Sequence, residues 1–425
     1  MVGNNSCGTH ALYAGKTVDN IERLTVATYD GDVLDLGPVG DDDYARIVAE
    51  GGAPARIYGA LRELARRYGD LVRQRYPDIP RRVSGYNLDQ LLPENGFHVA
   101  HAIVGTESTC VLVTEITIKL VDSPRYRRLA VFGFDDVYQA ADQVPHLLRH
   151  PLLGLEGFDG TLVRQMRAAR LNVEHLALLP PGDGWLVAEV GHDDPAVADE
   201  LLKRLLDDPP PGATAIGYGG VHEQRGVWAI RESGLGATAQ PPGMPHNHEG
   251  WEDAAVAPTR LGEYLRGIRD LWAEYGYSGA WYGHFGQGCV HTRNNFDLRT
   301  AEGLRRYRSY VERAADLVVS LGGSLSGEHG DGQARGELLE RMYGPELMTA
   351  MRMFKTIWDP RGRMNPGKVV DPYPLDTHLR HGPQYTITRL ADGVGAPAGH
   401  SARRPVGGRS ARLRASRNHE PAPRA

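Results

Sequence analysis

Two short glycine-rich motifs constrain this chain more than any other feature. They are His284-Phe285-Gly286-Gln287-Gly288-Cys289-Val290-His291 and Ser326-Gly327-Glu328-His329-Gly330-Asp331-Gly332. Gly286 and Gly288 permit a tight connection, so His284 and His291 can face each other across a hairpin. With the carboxylate of Glu328 they form a three-ligand set of the kind that holds a catalytic divalent metal with positions left open. A metal there polarises a hydroxyl or carboxylate as a Lewis acid. His329 is then free to move a proton. The competing reading is two histidines that merely occupy a glycine-rich turn. Glu328-His329, set among further glycines, favours the metal, because glycine that dense lets backbone approach another group closely. The chemistry implied is redox or hydrolytic, on a small oxygenated substrate.

A chain of 425 residues carries two or three domains and a core of ordinary size. Its net charge of −5 leaves no nucleic-acid footprint. The cysteines, Cys7, Cys110 and Cys289, are far apart, which argues against a disulfide framework or an iron–sulfur cluster. Free thiols fit a reducing compartment. The N-terminus lacks a basic segment followed by an apolar one, and no run of 18 apolar residues occurs. A cytoplasmic protein is expected, at most peripheral to the inner face of the membrane.

Leu24 to Tyr29 alternates like a strand and is closed by Asp30-Gly31, a hairpin signal. Residues 41–75 read as helical, with Leu61, Leu64 and Ala65 on one side and Arg62, Glu63, Arg66 and Arg67 on the other. Strand character returns between Phe97 and Val121. Strands over 128–132 and 185–190, each followed by a helix (136–149 and 195–206), make two αβ units and imply an α+β architecture. Amphipathic helices follow at 259–275 and 346–358, the second stopped by Asp359-Pro360-Arg361-Gly362. Residues 401–425 hold seven Arg and no aromatic side chain, a composition that cannot bury enough apolar surface to fold.

Gly3-Asn4-Asn5-Ser6-Cys7-Gly8-Thr9 suits either a plain turn or a loop wrapped on a polar cofactor. Val104-Gly105-Thr106-Glu107-Ser108-Thr109 is by itself a polar turn before a strand. Arg231 and Arg293 are candidate clamps for a substrate carboxylate, whose geometry the guanidinium fork matches, or else surface ion-pair partners.

In this order, these pieces resemble the FAD-linked oxidases with a vanillyl-alcohol-oxidase type of flavin domain, in the branch of D-lactate and D-2-hydroxyglutarate dehydrogenases. The bacterial members that fuse flavin and iron–sulfur regions are particularly similar. The stretches that carry the resemblance are 3–20, 82–92, 104–120, 231–253, 284–291, 324–335 and 359–368. It implies a partial FAD-binding domain over 1–122, with a helical insertion near 41–95. A ferredoxin-like α/β substrate and metal domain would span 123–372, and a disordered Arg/Ala/Pro/Gly-rich tail 373–425.

The resemblance also implies roles. Gly3, Asn4, Asn5, Ser6, Cys7, Gly8, Thr17, Asp19, Asn20, Gly105, Glu107, Thr109, Thr114 and Asn365 would line FAD. His284, His291 and Glu328 would hold the metal (Zn, Mn, Co or Fe). His329, a neutral imidazole near pH 7, would act as base. Arg231 would hold the substrate carboxylate, and Arg293 stays a candidate clamp on its residue type alone. The reaction implied takes a D-2-hydroxy acid to its 2-oxo acid. An external acceptor (a quinone, cytochrome or iron–sulfur protein) would reoxidise the flavin.

The chain departs from the family pattern at Ser108 and Cys110, where glycine is common. Arg293 stands where the hydroxyglutarate enzymes tend to have Asn, which bears on the substrate's distal group. The family's pyrophosphate-binding loop has no counterpart before Met1, and an Arg-rich tail follows Lys368. We therefore expect a truncated reading frame with a frameshifted tail, its flavin domain completed by an upstream polypeptide. Two alternatives stand beside an active dehydrogenase: an inactive remnant with little or no FAD binding, and a flavin-free metallohydrolase.

Overall fold

The computed structural model describes residues 1–243 and 246–384. Among them, ten strands form two antiparallel sheets, interleaved with helices, so the α+β expectation holds.

The smaller sheet has the order β2-β1-β3, built from β1 (Ile21–Ala27), β2 (Val33–Leu36) and β3 (Leu112–Ile118). The hairpin signal at Asp30-Gly31 is realised: Gly31 takes φ +93°, and β1 pairs with β2 from Leu24↔Leu36 to Ala27↔Val33. Ile21, Leu24, Val26 and Leu36 are buried, and the short helix Val99–Ile103 packs on β1. The helical stretch 41–75 is two helices, Asp41–Glu50 and Gly52–Arg75, parted at Gly51 (φ +76°). Leu61, Leu64 and Tyr68 face inward against the helix Leu339–Trp358, while Glu63, Arg66 and Arg67 face water. That last helix is broken at Gly344-Pro345, where Gly344 has φ +76°, so its regular part begins where the sequence pattern does.

The larger sheet positions the site. Its strands are β4 (Tyr126–Phe134), β5 (Gly154–Asp159), β6 (Gly184–His192), β7 (Thr214–Tyr218), β8 (Asp253–Ala255), β9 (Gly279–His284) and β10 (Cys289–Asn294). Their order is β7-β4-β6-β5-β9-β10-β8. Both faces are buried at the centre. Ala130, Phe132, Leu186 and Ala188 point into one apolar core, and Leu129, Val131, Trp185 and Val187 into another. A strand covered on both faces shows no polar alternation, which hides it from pattern reading. β4 and β6 were still legible from their runs of apolar residues, but β5, with the sequence Gly-Leu-Glu-Gly-Phe-Asp, holds two glycines and two acids, residues poor in strands, and went unread, as did the helix Gly160–Ala169 after it. The helix Ala301–Ser320 was also missed, although its buried positions 303, 307, 310, 311, 314, 315 and 318 follow helical spacing.

The tail reading is corrected at its start, over Pro374 to Thr377. Leu375 is buried (1% exposed), and Asp376 pairs with Arg308 at 2.8 and 3.0 Å. Gln333 donates to the carbonyls of Pro374 and Thr377. One apolar anchor and an arginine partner hold this stretch on the body, which composition alone does not reveal. The rest of the tail reading, 385–425, lies outside the described residues.

Beneath the small sheet, His98 and His101 stack with ring centroids 3.4 Å apart. His98 caps the helix Val99–Ile103 by accepting from His101 N, so its Nδ1 needs a lone pair. Burial, then the His101 ring, push the His98 pKa down to about 4, and burial also lowers that of His101. The fold therefore binds the neutral rings, while the unfolded chain takes up protons near pH 6.5. Stability is full above that pH and falls as pH drops toward about 4. We expect a loss of roughly 1–3 kcal/mol across this window in denaturant titrations. His98→Asn, which keeps a cap, should flatten the dependence; an unchanged slope would show that other groups cause it.

Candidate functional site

The β9–β10 hairpin presents both histidines of the first motif on one short stretch. Its register sets Cys289 opposite His284, and the 3-10 turn Phe285–Gln287 is closed by Gly288 at φ +70°. A Cβ at Gly288 would lie 1.9 Å from the carbonyl oxygen of Val256, so only glycine fits. The rings of His284 and His291 stand edge to face, with centroids 5.1 Å apart.

The second motif is a loop without a ladder partner, and its N–H groups are taken one by one. Ser326 N donates to Ser84 Oγ. Asp253 Oδ2 accepts from Ser326 Oγ (2.5 Å) and from the backbone of Gly327 (3.2 Å), Glu328 (3.1 Å) and His329 (2.7 Å). Gly330 N reaches Ser326 Oγ, and Glu107 accepts from Asp331 N and Gly332 N. Every N–H from 326 to 332 thus has a partner, as buried backbone requires.

These supports aim three imidazoles at one oxygen. The Nε2 atoms of His284, His291 and His329 lie 3.2, 3.0 and 3.4 Å from Glu328 Oε1. Ring protons follow from the partners on the other nitrogen. Nδ1 of His284 faces a Glu156 carboxylate oxygen at 2.8 Å. Nδ1 of His291 faces the Glu252 carbonyl at 3.3 Å, and Nδ1 of His329 the Glu252 carboxylate at 2.8 Å. Each Nδ1 therefore donates, so a ring in its neutral form turns an Nε2 lone pair toward the Glu328 oxygen. Acceptors converging on an acceptor require a cation between them, either protons or a metal. Ligand atoms about 2.0–2.1 Å from a tetrahedral metal stand about 3.3 Å apart, close to the spacings here.

Asp253, His291, Glu328 and His329 also lie close enough together to share an ion. We favour His284 over Asp253 as a ligand. Asp253 Oδ2 is already saturated by the loop and its Oδ1 faces the Cys289 thiol at 3.6 Å, whereas His284 Nε2 points at the shared oxygen.

The surrounding charges are paired. Arg81, fully buried, holds Glu328 Oε2 at 2.9 Å, and Arg335 approaches Glu252 at 3.5 Å. Burial disfavours the Glu328 carboxylate, but its hydrogen bonds from the three histidines outweigh that and hold it far below the usual range. Burial likewise opposes charge on His329, yet its bonds to Glu252 and Glu328 and the field of Asp253 push it up to about 10. That shift belongs to the site without a metal, where Glu252 and Glu328 both favour the protonated ring.

Of the residues expected to line a flavin, one group comes together beside His329. Asn4 donates to the His329 carbonyl and Ser6 to that of Glu328. Gly8 O accepts from Arg81, Gly105 N donates to Val2 O, Glu107 N to Gly3 O, and Asn365 Nδ2 to Glu107 O. Asn5 is buried, with φ +49°, and accepts from Val18 N. Cys7 is buried too, and desolvation pushes its thiol up to about 11. Others are spent inside the fold. Thr17 bonds Ser6 O, Asp19 accepts from Lys16 N, and Asn20 holds the 14–16 turn. Thr109 is buried against Tyr86, and Thr114 sits exposed on the edge strand β3, bonded to Thr25 O.

Neither expected clamp arginine is bare. Arg231, 7% exposed, gives Nε and Nη2 to Glu156 at 2.9 and 2.7 Å, and Arg293 pairs with Glu249 at 2.8 Å. Sequence reading missed Arg81, Glu156, Glu252, Asp253 and Arg335. Glu252 and Asp253 end a stretch that was singled out, and Arg81 borders another; Glu156 stands in no motif.

The model of the FAD linked oxidases, C-terminal domain, matches residues 123–369. D-2-hydroxyglutarate dehydrogenase of Escherichia coli (strain K12) is 27% identical over 394 residues, covering 89% of this chain and 39% of that protein. D-lactate dehydrogenase of Archaeoglobus fulgidus is 28% identical over 283 residues, covering 65% and 59%. The solved structure of 4-ethylphenol oxidase from Gulosibacter chungangensis, an isoeugenol complex, superposes with a TM-score of 0.52 at 12% identity, a likeness of fold, over 84% of this chain and 66% of that one. The chain belongs to the FAD-linked oxidases. It spans about two fifths of the length of the D-2-hydroxyglutarate dehydrogenases that it matches. Among the described residues, no helix is long and apolar enough to cross a membrane.

Because Asp253 satisfies four donors at once, removing it leaves buried N–H groups without a partner. Asp253→Ala should lower unfolding stability by roughly 2–5 kcal/mol and open the 326–332 loop to hydrogen exchange. A loss below about 1 kcal/mol would show that the loop holds itself.

Proposed function

We propose that this chain serves the oxidation of a D-2-hydroxy acid, of the D-lactate or D-2-hydroxyglutarate type, to the 2-oxo acid. One observation supports this reading above the others: the Nε2 atoms of three imidazoles converge on one carboxylate oxygen, at spacings that two of them and the carboxylate could share with a divalent metal, next to a buried arginine. The names of the relatives, D-2-hydroxyglutarate dehydrogenase and D-lactate dehydrogenase, agree with it.

In this reading His284, His291 and Glu328 hold the metal (zinc, manganese, cobalt or iron), whose charge would acidify the substrate hydroxyl. FAD, when bound against the 3–8, 105–107 and 365 backbone, would accept the two electrons and the α-hydrogen. Arg231 keeps Nη1 for the substrate carboxylate, since Glu156 uses only its Nε and Nη2 among the described residues. His329, at the open side with 44% of its side chain exposed, takes the hydroxyl proton. Once Glu328 is neutralised by its ligand role, His329 loses one of the two carboxylates that hold its proton, which suits it to act as base. Glu252 behind Nδ1 keeps the ring oriented. A separate carrier would take those electrons onward.

The test is a visible spectrum of the purified chain with added FAD, together with a Co²⁺ or Mn²⁺ titration. We expect one metal per chain, flavin bands, and bleaching by D-lactate or D-2-hydroxyglutarate but not by the L-enantiomers. His291→Ala and Glu328→Gln should weaken metal binding at least about 100-fold. A protein that takes metal but never retains FAD would replace this reading with a fragment that needs an upstream polypeptide. Ester hydrolysis without flavin would replace it with a metallohydrolase.

A further inference from the structure

We propose that Glu156 is a positioning residue of this site, one carboxylate that sets the His284 ring and ties Arg231 to it. Glu156 stands on β5, outside both glycine-rich motifs, and is completely buried. The register that pairs Gly157 with Gly283 brings Glu156 opposite His284 across the two strands, where side chains share a face. Its two oxygens divide the work. Oε1 accepts from His284 Nδ1 at 2.8 Å, and Oε2 takes the Arg231 fork through Nε at 2.9 Å and Nη2 at 2.7 Å. Arg231 also lies over the Tyr282 ring, 5.2 Å from its centroid, so its guanidinium is pinned on two sides.

The consequence is mechanical. With Nδ1–H committed to Glu156, His284 can offer only Nε2 toward Glu328, and the ring cannot flip without leaving Glu156 Oε1 buried and without its donor. The same carboxylate fixes Arg231, so a metal ligand and the arginine proposed for the substrate move as one unit. A carboxylate with a single partner would hold one of them and leave the other to its own rotamers. β5 carries glycine on the strand at 157, where a Cβ would come within 2.3 Å of the Phe285 ring. This lets the turn that follows His284 lie directly against β5.

The affinity part of the test rests on the metal reading above; the proton part does not. In ¹⁵N-histidine-labelled protein, the Nδ1–H of His284, bonded to a buried carboxylate, should give a downfield, slowly exchanging proton, assigned by its loss in His284→Ala. It should vanish in Glu156→Ala and persist in His291→Ala. Co²⁺ affinity, read from the visible spectrum of the bound ion, should fall roughly 10- to 100-fold in Glu156→Ala. Glu156→Gln, whose amide can serve only one of the two partners as an acceptor, should show an intermediate loss, and it is the variant to read if Glu156→Ala does not fold. A folded Glu156→Ala that keeps the downfield proton and binds Co²⁺ within twofold of the wild type would overturn the proposal. If the wild type binds no Co²⁺, the metal reading fails, and the proton signal alone decides whether Glu156 sets His284.

Discussion

Much of this molecule hangs on the carboxylate of Asp253. Its Oδ2 accepts from one hydroxyl and three consecutive backbone N–H groups of the loop that carries Glu328 and His329. A loop with glycine at 327, 330 and 332 has little conformational preference of its own. The buried anion supplies what the side chains of such a loop cannot, a single geometry enforced by several charge-assisted bonds. Asp253 in turn is held by β8, whose pairing with β10 sets Asp253 opposite His291. One strand pair thus fixes both the hairpin histidine and the loop that meets it.

Around this anchor the site repeats one device three times. His284 has Glu156 and Arg231 behind it, His329 has Glu252 and Arg335, and the shared Glu328 has Arg81. Each carboxylate is matched by a buried or nearly buried guanidinium. Isolated charges so deep would neutralise, and the pairing is what allows these to remain ionised. The carboxylates fix ring orientation and the arginines keep the carboxylates charged, so the imidazole lone pairs meet at one point without being free to turn away.

How much of this was legible follows from the range of each interaction. The two glycine-rich motifs are local, so the hairpin of His284 and His291 and the closeness of Glu328 to both were readable from spacing and residue type. The helix Gly52–Arg75 was readable because one face is wet and the other dry. β5 was not, because its six residues include two glycines and two acids, which carry little strand preference. Glu156 was invisible with it: a lone Glu there says only that something charged must be near it. The carboxylate behind His329 was not legible, because Glu252 lies 77 residues away along the chain.

The sequence by itself determined the chemistry on offer: two imidazoles and a carboxylate in glycine-rich surroundings, a further histidine beside them, and an Asp-Gly hairpin. These follow from local sterics and side-chain type, which act over a few residues. Only the tertiary structure decided which groups that chemistry would meet. Strand order brought β5 against β9, and with it Glu156 against His284; β8 against β10 brought Asp253 under the 326–332 loop. Those pairings are set by how apolar faces pack over the whole chain, and the electrostatics of the site follow from them.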